Sequence, residues 1–249
     1  MKFVIYTGNC VGNAKNCLYP TRREITSGAG LAETVKFDHV CAEYADHYRS
    51  IDNFRVSNVV VMGSGEPMDN YDNIVKFIEL LTDEHGLHIS QRNLTVSTCG
   101  LVPRMKQLAE LKLQITLALS LHASSQEKRK ELMPVANSYE LSEVLDACRY
   151  YFDKTGRRIT FEYSLVGGVN DTDEDAERLV KLVSGMNCHI NLIPVNPIKE
   201  RDYVQSNHEE ILKFKNKLEK NGINVTIRRE MGRDIDGACG QLRKKFLER

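Results

Sequence analysis

Residues 58–67 read NVVVMGSGEP, and this stretch indicates the architecture of the chain. Its first half is a short apolar run rich in β-branched residues, which is typical of a strand covered on both faces of a parallel sheet. Two glycines, an acid and a proline follow the strand directly. Because a helical pattern comes next, at Asp72 to His85 with Gly86 as its C-terminal cap, the stretch predicts the first of several strand–helix units.

The same order of strand and helix repeats along the rest of the chain. Further strands are predicted at Leu94 to Ser97, Gln114 to His122, Arg158 to Val166, His189 to Val195 and Ile223 to Arg228. Repeated strand–helix units indicate a parallel sheet with right-handed crossovers. An open doubly wound sheet and a full or partial barrel both fit this α/β pattern. We favour the partial barrel, because no GxGxxG motif follows the first strand.

Residues 1–57 lack this rhythm. They carry a loop-like opening and a helical pattern near Asp38 to Ser50. We therefore place a domain boundary near Phe54 to Ser57, between an atypical N-terminal segment, 1–57, and a catalytic half, 58–249.

Composition and charge are those of a soluble globular protein. Hydrophobic residues make up 41% of the 249 residues, and Lys+Arg and Asp+Glu are both 34, so the net charge is zero. Nucleic-acid-binding proteins usually carry a basic surplus, so the charge argues against strong autonomous binding of RNA or DNA. No apolar run approaches the roughly 20 residues that span a bilayer, and no signal peptide is evident, so we expect a cytoplasmic protein. There the seven cysteines would be thiols, metal ligands or catalytic groups.

Polar residues follow four of the predicted strands. The carboxyl ends of parallel strands meet at one edge, where ligands bind in both candidate architectures. Each signal alone has an ordinary explanation, such as a capped turn or a histidine bonded to a carbonyl. Four sets together favour one shared binding site. These sets are Gly63 to Pro67, Ser97 to Gly100, Ser120 to His122, and Asn196.

A loop near the C-terminus, GRDIDGACGQL at 232–242, carries one cysteine among small residues. Arg228, Arg229 and Arg233 could favour the thiolate of this Cys239. The alternative is a small residue in an ordinary turn.

Residues 58–249 closely resemble the catalytic half of the RlmN family. These are radical S-adenosylmethionine (SAM) methyltransferases that modify C2 of an adenine in 23S ribosomal RNA and in some transfer RNAs. The resemblance rests on an ordered set of motifs. They are GSGEP at 63–67, STCG at 97–100, SLHA at 120–123, FEY at 161–163, GVND at 168–171, NLIPVN at 191–196 and DIDGACGQL at 234–242.

This resemblance implies a partial (β/α)6 radical SAM barrel and an RNA-modifying enzyme. It implies that Cys239 accepts a methyl group from one SAM, that a [4Fe–4S] cluster cleaves a second SAM to a radical, and that a second cysteine resolves the RNA adduct. The expected partners are 23S rRNA and tRNA, and we expect a monomer. The implied SAM-binding residues are Gly65, Glu66, Ser97, Ser120, Leu121, His122 and Asn196.

The N-terminal segment departs from the family pattern. The family holds its cluster with Cys-x3-Cys-x2-Cys, whereas Cys10 and Cys17 here have the spacing of the outer cysteines and Ala14 stands at the middle position. Iron–sulfur clusters are held by thiolates, which alanine cannot supply, so we expect the cluster motif to be incomplete and methylation to be impaired. The resolving cysteine would fall at Phe3. The family's N-terminal RNA-binding domain is not expected in this chain.

The N-terminal segment has a resemblance of its own. Residues 36–44, KFDHVCAEY, and 48–54, YRSIDNF, are similar to the opening of primase-like proteins from phage and mobile elements. This implies a fusion of a foreign start with an RlmN catalytic half. Three hypotheses follow: a working radical SAM RNA methyltransferase, a non-catalytic remnant with a SAM pocket but no cluster, and a nucleic-acid-processing module in residues 1–57. The zero net charge and the lack of an acidic metal-binding triad in that segment disfavour the third.

Overall fold

The structure, a computed structural model, describes residues 2–5, 57–62, 65–195 and 203–228. The chain divides into two compact units between Ser97 and Thr98. The boundary predicted near Phe54 to Ser57 stays a prediction. The predicted helix at Asp38 to Ser50 lies outside the described residues.

The first unit contains parallel strands and one long helix. Its strands are β1 (Lys2–Ile5), β2 (Asn58–Val61) and β3 (Leu94–Thr98), and its helix is α1 (Tyr71–Thr82). Strand β2 pairs in parallel with both β1 and β3. Helix α1 lies in the predicted helical stretch and buries the apolar residues Ile74, Phe77, Ile78 and Leu81, whose i, i+3, i+4 and i+7 spacing places them on one face.

The predicted C-terminal end of α1 is wrong. The helix ends at Thr82, because Asp83 leaves the helical region with ψ 132°. A carboxylate oxygen of Asp83 accepts a hydrogen bond of 2.8 Å from the amide of His85, which closes a turn. Gly86 therefore lies beyond the helix and does not cap it.

The second unit repeats the strand–helix order. Its strands β4 (Thr116–Ser120), β5 (Ile159–Leu165), β6 (Cys188–Pro194) and β7 (Asn224–Ile227) pair in parallel in sequence order. Its helices are α2 (Val102–Glu110), α3 (Gln126–Leu132), α4 (Leu141–Thr155), α5 (Asp173–Val183) and α6 (His208–Lys220). The predicted parallel α/β arrangement is confirmed.

The two faces of β5 have different surroundings. Phe161 and Tyr163 are fully buried, and the Tyr163 ring lies 5.4 Å from that of Phe214 on α6. The alternate residues Thr160, Glu162 and Ser164 are polar and form the opposite face of the strand. This polar face ends next to the turn that follows β4, where the candidate site begins.

No helix among the described residues is long and apolar enough to cross a membrane.

Candidate functional site

Gly65 and Glu66, in the first unit, form the turn after β2. Gly65 has φ 110°, in a region that favours glycine. Glu66 caps the short 3₁₀ helix Pro67–Asn70, because its Oε1 accepts a hydrogen bond of 3.0 Å from the amide of Met68. The capped-turn explanation of this motif therefore holds for one carboxylate oxygen of Glu66.

The turn after β3 is tightly packed. The hydroxyl of Thr98 accepts a hydrogen bond of 3.1 Å from the amide of Gly100. Gly100 has φ 105°, and a Cβ added there would lie 3.1 Å from the Val144 side chain and 3.2 Å from a guanidinium nitrogen of Arg129. Only glycine fits this position without a shift of its neighbours.

The turn after β4 brings Ser120, Leu121 and His122 against β5. The backbone carbonyl of Glu162 accepts hydrogen bonds from the amides of Leu121, at 3.0 Å, and His122, at 3.1 Å. The Leu121 side chain is fully buried, so only its backbone can face a ligand. Gly65, Glu66 and Ser97 belong to the other unit, and their place in the same site stays a prediction.

His122 has a backbone conformation that is uncommon for a residue with a side chain. Its φ is 57°, in the left-handed region. The amide of Ser164 donates to its Nδ1 over 3.1 Å, so a neutral ring carries its proton on Nε2. Burial, and then the charge of Arg129, lower the pKa of His122 to about 4. His122 is therefore a neutral hydrogen-bond donor at physiological pH.

Asn170 supports this conformation from the core. It is fully buried, and its side-chain amide donates to the carbonyls of His122, at 2.7 Å, and Ser164, at 2.6 Å. Its Oδ1 accepts from the amide of Val166 at 2.8 Å, and its carbonyl accepts from the Tyr163 hydroxyl at 2.8 Å. Asn170 thereby joins the turn after β4 to the turn after β5.

A buried carboxylate joins the same loop to helices α3 and α5. Asp175 accepts hydrogen bonds from the Ser124 hydroxyl, at 2.5 Å, and from Lys128, at 2.7 Å, and is also bonded to Arg178 and Thr172. Burial alone would raise the pKa of Asp175, but these four partners outweigh it and hold the pKa at about 2. Asp175 is therefore ionised and positions the segment that follows His122.

A row of polar side chains crosses β5, β6 and β7, and it was missed from the sequence. Asn191 donates to the Glu162 carboxylate over 3.0 Å and accepts from the Thr226 hydroxyl over 3.1 Å, while His189 lies 2.9 Å from that hydroxyl. Burial raises the pKa of Glu162. Alternating polar residues within the apolar β5 could have revealed this row. These groups can bind a polar small molecule through hydroxyl, amide and carboxylate groups.

The remaining predicted site residues lie outside the described residues. They are Asn196, Cys239, and the cluster positions Cys10, Ala14 and Cys17. The roles assigned to them stay predictions. Within the described residues, no cluster of three or more His, Cys, Asp or Glu side chains could hold a metal ion.

Two buried cysteines of the second unit have surroundings that suggest packing and no chemical role. Cys148 and Cys188 are buried thiols that form no disulfide. Burial raises the pKa of Cys148 to about 12 and that of Cys188 to about 11. Cys148 and Cys188 therefore act as small core residues.

Comparison with known proteins identifies similar sequences. A family model described as the radical SAM superfamily matches residues 4–183. The "Probable dual-specificity RNA methyltransferase RlmN" of Lachnospira eligens is 74% identical over 194 residues, which are 78% of this chain and 55% of that protein. The protein with the same name in Lachnoclostridium phytofermentans is 55% identical over all 249 residues and 70% of its own length.

A solved structure is similar as well. A radical SAM methyltransferase from Sphaerobacter thermophilus matches with a TM-score of 0.78 and 38% identity, over 91% of this chain and 66% of that one. Together with the family model, this likeness confirms the predicted fold class, an α/β partial radical SAM barrel. The chain spans little more than half the length of the Lachnospira eligens relative.

Proposed function

The chain belongs to the RlmN family of the radical SAM superfamily, and we propose that it binds SAM at its strand ends as part of an RNA adenine methyltransferase. Membership of this family confirms the resemblance drawn from the sequence motifs. The proposed substrate is adenine, at C2, in 23S rRNA and tRNA, which the family resemblance implies. The proposed location is the cytoplasm.

One observation carries the SAM proposal: three consecutive predicted SAM-binding residues form a rigid turn at the end of β4. The amides of Leu121 and His122 donate to the Glu162 carbonyl, and the Asn170 side chain donates to the carbonyl of His122. SAM contains hydroxyl, amino and carboxylate groups, and the Ser120 hydroxyl and the neutral His122 ring offer hydrogen bonds to such groups. The described residues therefore fit SAM.

The cluster motif fits its cofactor less well. The family pattern supplies three thiolates, whereas Cys10, Ala14 and Cys17 supply two thiolates and one methyl group. We propose that this polypeptide alone lacks a complete cluster-binding set and does not methylate RNA. Cys239 would remain the methyl-accepting cysteine of the family.

Equilibrium dialysis of the anaerobically purified chain with radiolabelled SAM tests the binding proposal. We expect saturable binding that is weakened several-fold by Ser120→Ala. Thr116→Val is the matched control, because Thr116 begins the same strand that Ser120 ends. Absence of saturable binding, or equal weakening by both substitutions, would overturn the proposal.

The second candidate is the working methyltransferase, which the 74% identity to a probable RNA methyltransferase favours. Incubation with SAM and a reductant separates the two candidates. The working enzyme forms 5′-deoxyadenosine and methylated adenine in RNA, whereas the chain with an incomplete cluster motif binds SAM without cleaving it.

A further inference from the structure

Arg129 is a charged side chain in the core of the second unit. It lies on α3, a helix of seven residues, and it is the buried residue of this helix. The side chain has no exposed surface. Arginine stays protonated in proteins, so this is a buried positive charge. Burial lowers the pKa of Arg129, because removal from water disfavours the charged form of the guanidinium.

The guanidinium group binds backbone carbonyls instead of a carboxylate. Its Nη2 donates to the carbonyl of Cys99 at 2.7 Å, with the carbonyl of Ser120 farther away at 3.5 Å. Its Nε and Nη1 have no hydrogen-bond partner among the described residues. Burying a charge without a counter-charge costs free energy, so packing alone does not explain an arginine here.

Each of the two carbonyls belongs to a peptide group whose N–H also makes a hydrogen bond. The Cys99–Gly100 peptide has its N–H bonded to the Thr98 hydroxyl. The Ser120–Leu121 peptide has its N–H bonded to the Glu162 carbonyl. Because a peptide group is planar, holding it at its C=O and its N–H fixes its orientation. Arg129 thus contacts the fixed peptides of two strand-end turns at once.

The sequence around these peptides is adapted to the guanidinium. Gly100 leaves room for it, since a Cβ at that position would lie 3.2 Å from Nη2. The charge of Arg129 also acts on His122 and disfavours protonation of its ring. Arg129 therefore influences both the backbone of the β4 turn and the charge of its histidine.

We propose that Arg129 is a positioning residue of the SAM site, which holds the strand-end peptides after β3 and β4 in the orientation that SAM requires. This inference rests on the proposed function, because it concerns the same site. Arg129 would act through the backbone and would not itself contact SAM.

Arg157 provides a matched control at the opposite end of β4. Its Nη2 donates to the Thr116 hydroxyl over 3.3 Å, and its Nε is also buried without a partner. Arg129→Met and Arg157→Met therefore remove a guanidinium group from each end of one strand, the first fully buried and the second half-buried. Arg129→Lys keeps the charge but replaces the planar guanidinium by a compact ammonium on a shorter side chain, which should reach the two carbonyls less well.

Two readouts follow: the dissociation constant for SAM by anaerobic equilibrium dialysis, and hydrogen exchange of the Gly100 and Leu121 amides. We expect Arg129→Met to raise the SAM dissociation constant about tenfold, as for other residues that orient a ligand-binding group. We expect both amides to exchange faster. Arg157→Met should leave the dissociation constant within about twofold and both amides unchanged, because the strand-end peptides stay fixed. Arg129→Lys should lie between Arg129→Met and the unmodified chain.

The outcomes separate this inference from the proposed function. If the unmodified chain does not bind SAM, the proposed function fails, and the amide exchange then decides the role of Arg129. If the unmodified chain binds SAM and Arg129→Met binds it equally well, the inference is overturned. Should Arg129→Met fail to fold, the same comparison is made with Arg129→Lys. Equal effects of Arg129 and Arg157 substitutions would indicate a merely structural role.

Discussion

The side-chain amide of Asn170 donates a hydrogen bond of 2.7 Å to the backbone carbonyl of His122, 48 residues earlier in the chain. The same amide reaches the carbonyl of Ser164, whose N–H in turn donates to the His122 ring. Uncommon backbone conformations persist where the surrounding structure over-determines them, and they cluster at ligand sites. The left-handed conformation of His122 therefore depends on the buried side chain of Asn170.

Asn170→Ala should destabilise the second unit. The substitution leaves the amide of Val166 and the carbonyls of His122 and Ser164 without their buried partner, so we expect a loss of about 2–4 kcal/mol in the free energy of unfolding. Urea denaturation followed by circular dichroism measures it. Asn93→Ala is the control, because Asn93 is exposed. A loss at Asn170 as small as that at Asn93 would contradict the described network.

At position 122, glycine should give a more stable protein than alanine, which is the reverse of the usual order. Because φ is 57°, a Cβ strains the backbone here, so His122→Gly should be more stable than His122→Ala by about 1 kcal/mol. The same pair of substitutions at Thr226, an extended residue of β7, should show glycine as the less stable. Urea denaturation of the four variants gives the comparison. Alanine more stable than glycine at His122 would show that the strain is absent.

The pKa of His122 makes stability depend on pH in a defined window. The folded pKa is about 4, below the usual value of 6.5, because burial disfavours the charged ring. The unfolded chain therefore binds more protons between these values, and this contribution is present above pH 6.5 and is lost as the pH falls towards 4. His122→Asn, which tolerates the left-handed conformation, should flatten this slope in urea denaturation at several pH values. Asn93→Ala, at an exposed residue without a titratable group, should leave it unchanged.

Asp175→Asn should be among the more damaging single substitutions in the second unit. It leaves Lys128 and Arg178 without their buried counter-charge, so we expect a loss of about 3 kcal/mol at pH 7. With a folded pKa of about 2 and an ordinary value of 3.8, the stabilisation is present above pH 3.8 and disappears as the pH falls towards 2.

Asp146→Asn is the matched control for Asp175, since Asp146 pairs with Arg149 in an exposed ion pair. Such pairs contribute little, so its unfolding curve should match that of the unmodified chain. Equal effects of the two substitutions would mean that Asp175 is not an essential anchor of the loop after His122.

The sequence predicts those helices that bury a regular apolar face. Helix α2 places the apolar residues Val102, Met105 and Leu108 on one face by their spacing in the sequence, and all three are buried. Helix α3, QEKRKEL, was missed because its buried residue is the charged Arg129. Its position depends on carbonyls distant in sequence, and hydrophobic periodicity carries no signal for such contacts.

The sequence likewise predicts some residues of the candidate site and not others. The motif Ser120 to His122 is visible because polar residues directly follow an apolar strand. Asn170 and Glu162 lie in the GVND and FEY motifs, but local sequence pattern indicates no role for them, because their bonds join residues about 40 to 50 positions apart. The structure supplies that long-range pairing, and with it the reason for the conformation of His122.

We propose that Ala14 leaves this RlmN-family chain without a complete cluster-binding set. The measurement that tests it most directly is the iron and sulfide content per chain after anaerobic reconstitution, for the unmodified protein, Ala14→Cys, and Ala14→Ser as a control without a thiolate. We predict that Ala14→Cys alone approaches about four irons per chain and cleaves SAM to 5′-deoxyadenosine. About four irons in the unmodified chain, with SAM cleavage, would contradict the claim.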